Sequence, residues 1–379
     1  MKLSRRQTLQ LGFGAFLGAG CTHVTQLSGA AFDQPPKDFP VEGHLNLRQR
    51  AAAKGIIYGA AGNYRALTED TEYAQVFAET CGILVPENEL KWAALRPAPD
   101  QFDFKRSDWL AQFAKEHGML FRGHTLAWHQ SNPEWLKEVK AQQAEQVLVK
   151  HINTVVKHYA GRIHSWDVVN EAIAGEWSDR ADKLQPTQWL KLLDKNYIDI
   201  AFKAAGAADP NAMLVYNDTA VDYDTPEDNQ TRAAILKLLE WLKSRNAPIH
   251  ALGIQAHLDG AEKRFNEKKF RDFLSEVAGM GLKILITELD VSDRYLPADI
   301  EVRDRAVAYA LEQYLSVALD ERAVIAVLTW GLSDRYTWLS MYPRPDNLPV
   351  RTLPYADNLR RKLAWNAIAR SFDAAPKRG

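Results

Sequence analysis

Lys283-Ile-Leu-Ile-Thr-Glu-Leu-Asp290 is the stretch that decides the fold. Three consecutive aliphatic residues make both faces of an extended segment apolar. That suits a parallel strand covered on both sides. The run then stops at two carboxylates, Glu288 and Asp290. Val324-Ile-Ala-Val-Leu-Thr-Trp330 repeats the design with a different ending. Working outward, β-rich runs of this kind fall at residues 55–62, 83–89, 120–128, 165–171, 213–218, 251–258, 283–292 and 324–334.

Helical periodicity fills the intervals. Val147, Leu148, His151, Ile152, Val155, Val156 and Tyr159 form one stripe at a period near 3.6. Ile235, Leu238, Leu239 and Leu242 form another, and Phe270, Phe273, Leu274 and Val277 a third, stopped by Gly279 and Gly281. Further helices are predicted over 69–81, 106–117, 189–205, 303–319 and 358–372. Eight strands, each followed by a helix, in about 325 residues predict an α/β fold, a single (β/α)8 TIM barrel with its active site at the C-terminal strand ends. An open doubly wound sheet is the alternative. The first strand ends Tyr58-Gly-Ala-Ala-Gly-Asn63, which lacks the G-x-G-x-x-G spacing of a dinucleotide turn. Tyr342–Pro354, rich in proline, reads as a long loop over the barrel mouth.

Composition narrows the function. Of 379 residues, 46% are hydrophobic and 25% charged, with a net charge of −1. Nothing in that balance holds a polyanion, so no nucleic acid partner is expected. The 11 Trp, 13 Tyr and 14 Phe favour neutral ring substrates, although many will be core. The first 21 residues, MKLSRRQTLQLGFGAFLGAGC, join a basic start to an apolar stretch too short to span a bilayer. They resemble a twin-arginine export signal. Cys21 stands where a lipoprotein would carry its lipid, although Gly18 is unusual for such a site. A plain cleaved signal is the other reading. An exported protein is expected: periplasmic, secreted, or lipid-anchored to the bacterial envelope. Its only membrane contact would be a lipid on Cys21. Cleavage after residue 21 would remove Lys2, Arg5 and Arg6 and move the net charge to about −4. Residues 22–45 read as a tether or disordered lead-in, and 46–375 as the catalytic domain. Cys81 reads as a buried structural thiol.

Polar residues gather where the strands end. The second run ends Pro86-Glu-Asn-Glu-Leu-Lys-Trp92. The third carries Arg122-Gly-His-Thr-Leu-Ala-Trp-His129. The fourth ends Trp166-Asp-Val-Val-Asn-Glu171, the fifth Tyr216-Asn-Asp218. Gln255 and His257 lie two apart on the sixth. Each alone could be a satisfied strand-end polar group; together, on successive strands, they define one mouth. His124 and His129 are poorly spaced for a metal, and no G-x-S-x-G elbow supplies a serine nucleophile. No cofactor and no metal are expected. What remains is paired carboxylates in an aromatic cleft, the constellation of glycoside hydrolysis.

These motifs, with Thr287-Glu-Leu-Asp290 and Trp330-Gly-Leu-Ser-Asp-Arg-Tyr-Thr-Trp338, resemble glycoside hydrolase family 10 from about Ile56 to Phe372. Its members are mostly endo-1,4-β-xylanases. The resemblance implies that Glu171 is the general acid/base and Glu288 the nucleophile, about 5–5.5 Å apart as in retaining enzymes. It implies that Asn170 bonds the 2-hydroxyl of the sugar under attack and that His257 orients the nucleophile, with Asp290 behind it. Gln255, His124 and Trp128 would line the same subsite. Glu87, Asn88 and Lys91 would grip the next sugar toward the non-reducing end. Trp330 and Trp338 would form aromatic walls. Xylan and xylo-oligosaccharides are the implied partners, and the chain is expected to act as a monomer. Two departures stand out: Thr219 replaces the usual Tyr on the leaving-group side, and Gln130-Ser131 reverses the usual order. A related β-1,4-glycanase or aryl-β-glycosidase, or a catalytically silent sugar-binding protein, are the alternatives.

Overall fold

The computed structural model describes residues 38–378. The export signal and most of the lead-in lie outside the described residues. Parallel strands β1 (Ile57–Gly62), β2 (Ile83–Pro86), β3 (Leu120–Ala127), β4 (Ser165–Asn170), β5 (Met213–Asp218) and β6 (Ala251–Ile254) pair in sequence order. A short β7 (His257–Asp259) follows, then β8 (Lys283–Ser292) and β9 (Val324–Thr329). β6 pairs with β8, β8 with β9 and β9 with β1, which closes an eight-stranded barrel. Short β7 continues β6 past a bend and pairs with the far end of β8.

The barrel interior is filled by alternate residues of its strands: Ile83 and Val85 on β2, Val215 on β5, and Ala326 and Leu328 on β9. Trp330 extends that last alternation into the mouth. The outer core lies between strands and helices. The long helix Ala141–Tyr159 buries Leu148, His151, Ile152, Val155, Val156 and Tyr159, the stripe read from its periodicity. Cys81 is buried as well, and burial pushes its thiol far above the usual range.

Four expectations need correction. The sixth run is not one strand to Leu258, because Ala256 adopts a left-handed conformation (φ 60°) that breaks the ladder. The helix expected over 189–205 is two, Gln188–Leu193 and Asn196–Ala208, split at Asp194 (φ 50°). The last helix begins at Leu363, not at residue 358, because Lys362 donates to Asp334 at 2.7 Å and holds the preceding loop. The end of the lead-in is not a tether. Phe39 is buried, and the carbonyls of Phe39, Pro40 and Glu42 accept bonds from Asn366, Arg370 and Arg50.

The loop after β9 crosses the mouth, as its prolines suggest. A buried charge cluster ties it down. Arg303 donates to Asp293 through Nε at 2.8 Å and also bonds the Pro349 carbonyl. Arg344 reaches the carbonyls of Asp293 and Leu296. All three side chains are buried. Breaking such a pair leaves a charge without compensation. Asp293→Ala should therefore cost about 3–5 kcal/mol, read as a lower midpoint in chemical or thermal unfolding. A wild-type midpoint would show that the cluster does not secure the loop.

Candidate active site

Three strands lose regular register just where polar residues are needed. β3 slips between His124 and Ala127, β4 between Asp167 and Val169, and β8 between Ile286 and Leu289. Such bulges re-aim side chains, and they concentrate beside functional sites. On β8 the slip lets both Thr287 and Glu288 engage groups at the mouth. The His124–Thr125 peptide bond is cis.

Glu288 is only 5% exposed. A carboxylate removed from water needs donors. Asn217 Nδ2 donates to its Oε1 at 2.8 Å, and His257 Nε2 lies 3.1 Å from its Oε2. His124 Nδ1 stands 4.0 Å from Oε1. Asn217 is itself fixed: its amide also donates to Asn170 Oδ1 at 2.8 Å, and its oxygen accepts from Thr287 at 2.7 Å. Gly253 on β6 makes room for it, since a Cβ there would sit 2.3 Å from Asn217 Oδ1.

His257 is held between two carboxylates. Nδ1 faces Asp290 at 2.9 Å while Nε2 faces Glu288. Burial works against a charged imidazole, but Asp290 and Glu288 outweigh it and raise the pKa to about 10. Both ring nitrogens then carry protons and donate. Trp338 Nε1 donates to the other oxygen of Asp290 at 2.7 Å.

Glu171 follows β4 in a left-handed conformation (φ 52°), with its N–H on the Asn217 carbonyl at 2.9 Å. Strained backbone of this kind persists only where its surroundings hold it. Trp128 Nε1 donates to Oε2 at 3.0 Å and Gln255 Nε2 to Oε1 at 2.9 Å. The two glutamates thus sit in different settings: Glu288 in hydrogen-bond contact with the His257 imidazolium, Glu171 with the Trp128 indole and the Gln255 amide, His129 Nδ1 standing 3.8 Å away.

Both line one cavity of about 420 Å³. Glu87, Asn88, Lys91, His124, Trp128, Asn170, His257, Trp330 and Trp338 share its walls, as the sequence indicates. Lys91 donates to Asn88 at 3.1 Å and stands over the Trp128 ring at 5.2 Å. Burial pushes the Glu87 carboxyl up and the Lys91 ammonium down, which leaves both poised to trade weak solvation for a polar ligand.

One residue sits elsewhere than expected, and one sits where it was expected, behind the wall. Gln255 is not on the cavity wall; it lies behind Glu171, with its amide on that carboxylate and on Asn170 at 3.3 Å. Asp290 is likewise behind His257, as its expected supporting place requires. The sequence places Asn217 at a strand end and Tyr342 in the mouth loop without a role for either, and does not point to Met341. Asn217 carried a signal, an amide among apolar residues at the end of β5. Met341 and Tyr342 carried none beyond their place in the mouth loop. A further layer, Arg122 on Asp167 and Asp167 on His124 at 3.0 Å, also went unassigned. Among the described residues there is no cluster fit to hold a metal ion, and no helix is long and apolar enough to cross a membrane.

A (β/α)8 barrel with two carboxylates across an aromatic cleft is the site class of a glycoside hydrolase. The comparisons give the family. The model described as Glycosyl hydrolase family 10 matches residues 46–371, and the chain belongs to that family. It is 32% identical over 290 residues to endo-1,4-beta-xylanase B of Thermotoga neapolitana, covering 75% of this chain and 79% of that one. It is 33% identical over 281 residues to a beta-1,4-xylanase of Dictyoglomus thermophilum, covering 72% and 76%. The crystal structure of xylanase 10B from Thermotoga maritima superposes with a TM-score of 0.78 at 31% identity, covering 87% of this chain and 98% of that one.

The His257 charge makes a pH prediction. Its folded pKa is raised from 6.5 to about 10. The stabilisation it gives is complete below the unfolded value and is lost as pH rises through the folded one. The wild-type melting temperature should fall between pH 7 and 10, and His257→Gln should flatten that fall. Parallel curves for the two proteins would contradict the charged imidazole.

Proposed function

We propose that this enzyme is a retaining endo-1,4-β-xylanase that cleaves internal β-1,4 linkages of xylan by double displacement. The observation that carries the reading is the contrast between its two glutamates. Glu288 faces His257, an imidazolium at neutral pH, 3.1 Å from its Oε2. Glu171 accepts from the Trp128 and Gln255 N–H groups across the same cavity, with His129 Nδ1 3.8 Å from its Oε2.

Glu171 donates its proton to the glycosidic oxygen as Glu288 attacks the anomeric carbon. The bond to the leaving sugar breaks, and a glycosyl ester forms on Glu288. Forming that ester removes the Glu288 charge, which makes it easier for Glu171 to stay ionised. Glu171 then takes a proton from water, the water attacks the same carbon, and Glu288 is released. Asn170, whose Oδ1 accepts from Asn217 and Gln255, would meet the sugar's 2-hydroxyl. Xylan as substrate is supported by the relatives' names and by a structural neighbour from Thermotoga petrophila in complex with xylobiose, with a TM-score of 0.78 at 30% identity, covering 88% of this chain and 99% of that one. Export is supported by the basic-then-apolar start of the chain, and lipidation by Cys21. Cell fractionation of wild type and Cys21→Ser tests both.

Glu288→Ala should abolish turnover of xylan. Glu171→Ala should lose about 10²–10⁴-fold on xylo-oligosaccharides, and much less on an aryl glycoside whose leaving group needs no proton. Proton NMR should show the β-anomer first. An α product first, or binding of xylo-oligosaccharides without any cleavage, would contradict the proposal.

A further inference from the structure

Beyond the His257 and Trp338 wall lies a second, smaller cavity of about 100 Å³. It shares His257, Trp338 and Tyr342 with the main cleft, so the two open side by side at the mouth. Leu258, Leu339 and Val350 give it apolar sides. Its rim carries Tyr295, 64% exposed, and Arg294.

Charge pairing sets Arg294 apart. Nearby Arg303 is bonded to Asp293, Arg344 to Asp346 and Arg351 to Asp304. The Arg294 guanidinium has no hydrogen bond or ion pair among the described residues; it stands over the Tyr295 ring at 5.5 Å, and its Nε is buried without a partner. The carboxylates of this cavity are otherwise engaged. Asp290 is held by His257 and Trp338, and Asp293 by Arg303. Asp259 turns to its own loop, accepting from the Ala261 N–H at 2.9 Å. One guanidinium without an ion pair among the described residues therefore stands beside an aromatic rim, next to a sugar cleft.

An unsubstituted xylan backbone carries no charge and offers this arginine nothing. A planar carboxylate is the group that a guanidinium fork matches best. An apolar sugar face packs well on a tyrosine ring. The cavity holds the edge of one pyranose, not a further length of backbone. We propose that it receives an acidic branch of the polysaccharide, a uronic acid carried by the xylan chain, with Arg294 pairing its carboxylate and Tyr295 against its ring. This rests on the xylanase reading and adds a specificity site to it.

The test compares three oligosaccharides of equal backbone length: linear, uronic acid-branched and arabinose-branched. Arg294→Gln should raise KM for the acidic one about tenfold with kcat unchanged, the pattern of lost uniform binding. The linear and neutral-branched substrates should be unaffected. Arg294→Lys should restore part of the loss, and added salt should narrow the gap between wild type and Arg294→Gln. Equal losses on all three substrates, or no loss on the acidic one, would overturn the site while leaving the xylanase reading intact. If the wild type cleaves no linear oligosaccharide, the xylanase reading fails first and this inference falls with it.

Discussion

A carboxylate has to stay ionised at the end of a buried strand, and the rest of the site follows from that. Taking the Glu288 carboxylate out of water without donors would be costly. Asn217 and His257 prevent this, and each brings its own requirements. His257 must be charged to donate to two carboxylates at once, so Asp290 is needed behind it and Trp338 caps Asp290 in turn. Asn217 must not rotate, so Thr287 and Asn170 hold its two ends and Gly253 leaves it space. The network joins β4, β5, β6, β7 and β8, neighbouring strands whose ends meet at the barrel mouth.

The barrel supplies rigidity, and its irregularities supply aim. Strict alternation along β8 would send Thr287 and Glu288 to opposite faces. The register slip there brings both toward Asn217, and the slips in β3 and β4 do similar service for His124 and Asn170. The rim is secured separately. The loop after β9 places Trp338 and Tyr342 in the cleft, and the Asp293 cluster pins its far side without touching the two glutamates. Loss of that cluster is thus expected to alter the walls before it alters the chemistry.

Much of this could be read from the chain. Apolar runs such as Ile284–Ile286 mark strands covered on both faces, and their count fixed the architecture. Glu171, Glu288, Asn170 and His257 were legible because charged or amide groups seldom end a buried strand by accident. Register was not legible. Nothing in Gln255-Ala-His257 announces that Ala256 turns left-handed, so one strand became two. Gln255 was given a sugar to hold because sequence cannot tell a wall from the layer behind it. Asn217 was passed over because its work is done by a bridge between strands far apart in the chain. Phe39 looked like linker because its partner, the last helix, lies more than 300 residues on.

The central claim is that Glu288 forms the bond to sugar. A 2-deoxy-2-fluoro-xylobioside with a good leaving group tests it directly, since fluorine slows both steps while the leaving group speeds only the first. Mass spectrometry of the treated enzyme should find one glycosyl unit added, and the modified peptide should contain Glu288. No adduct on an active enzyme, or an adduct on any other residue, would contradict the account.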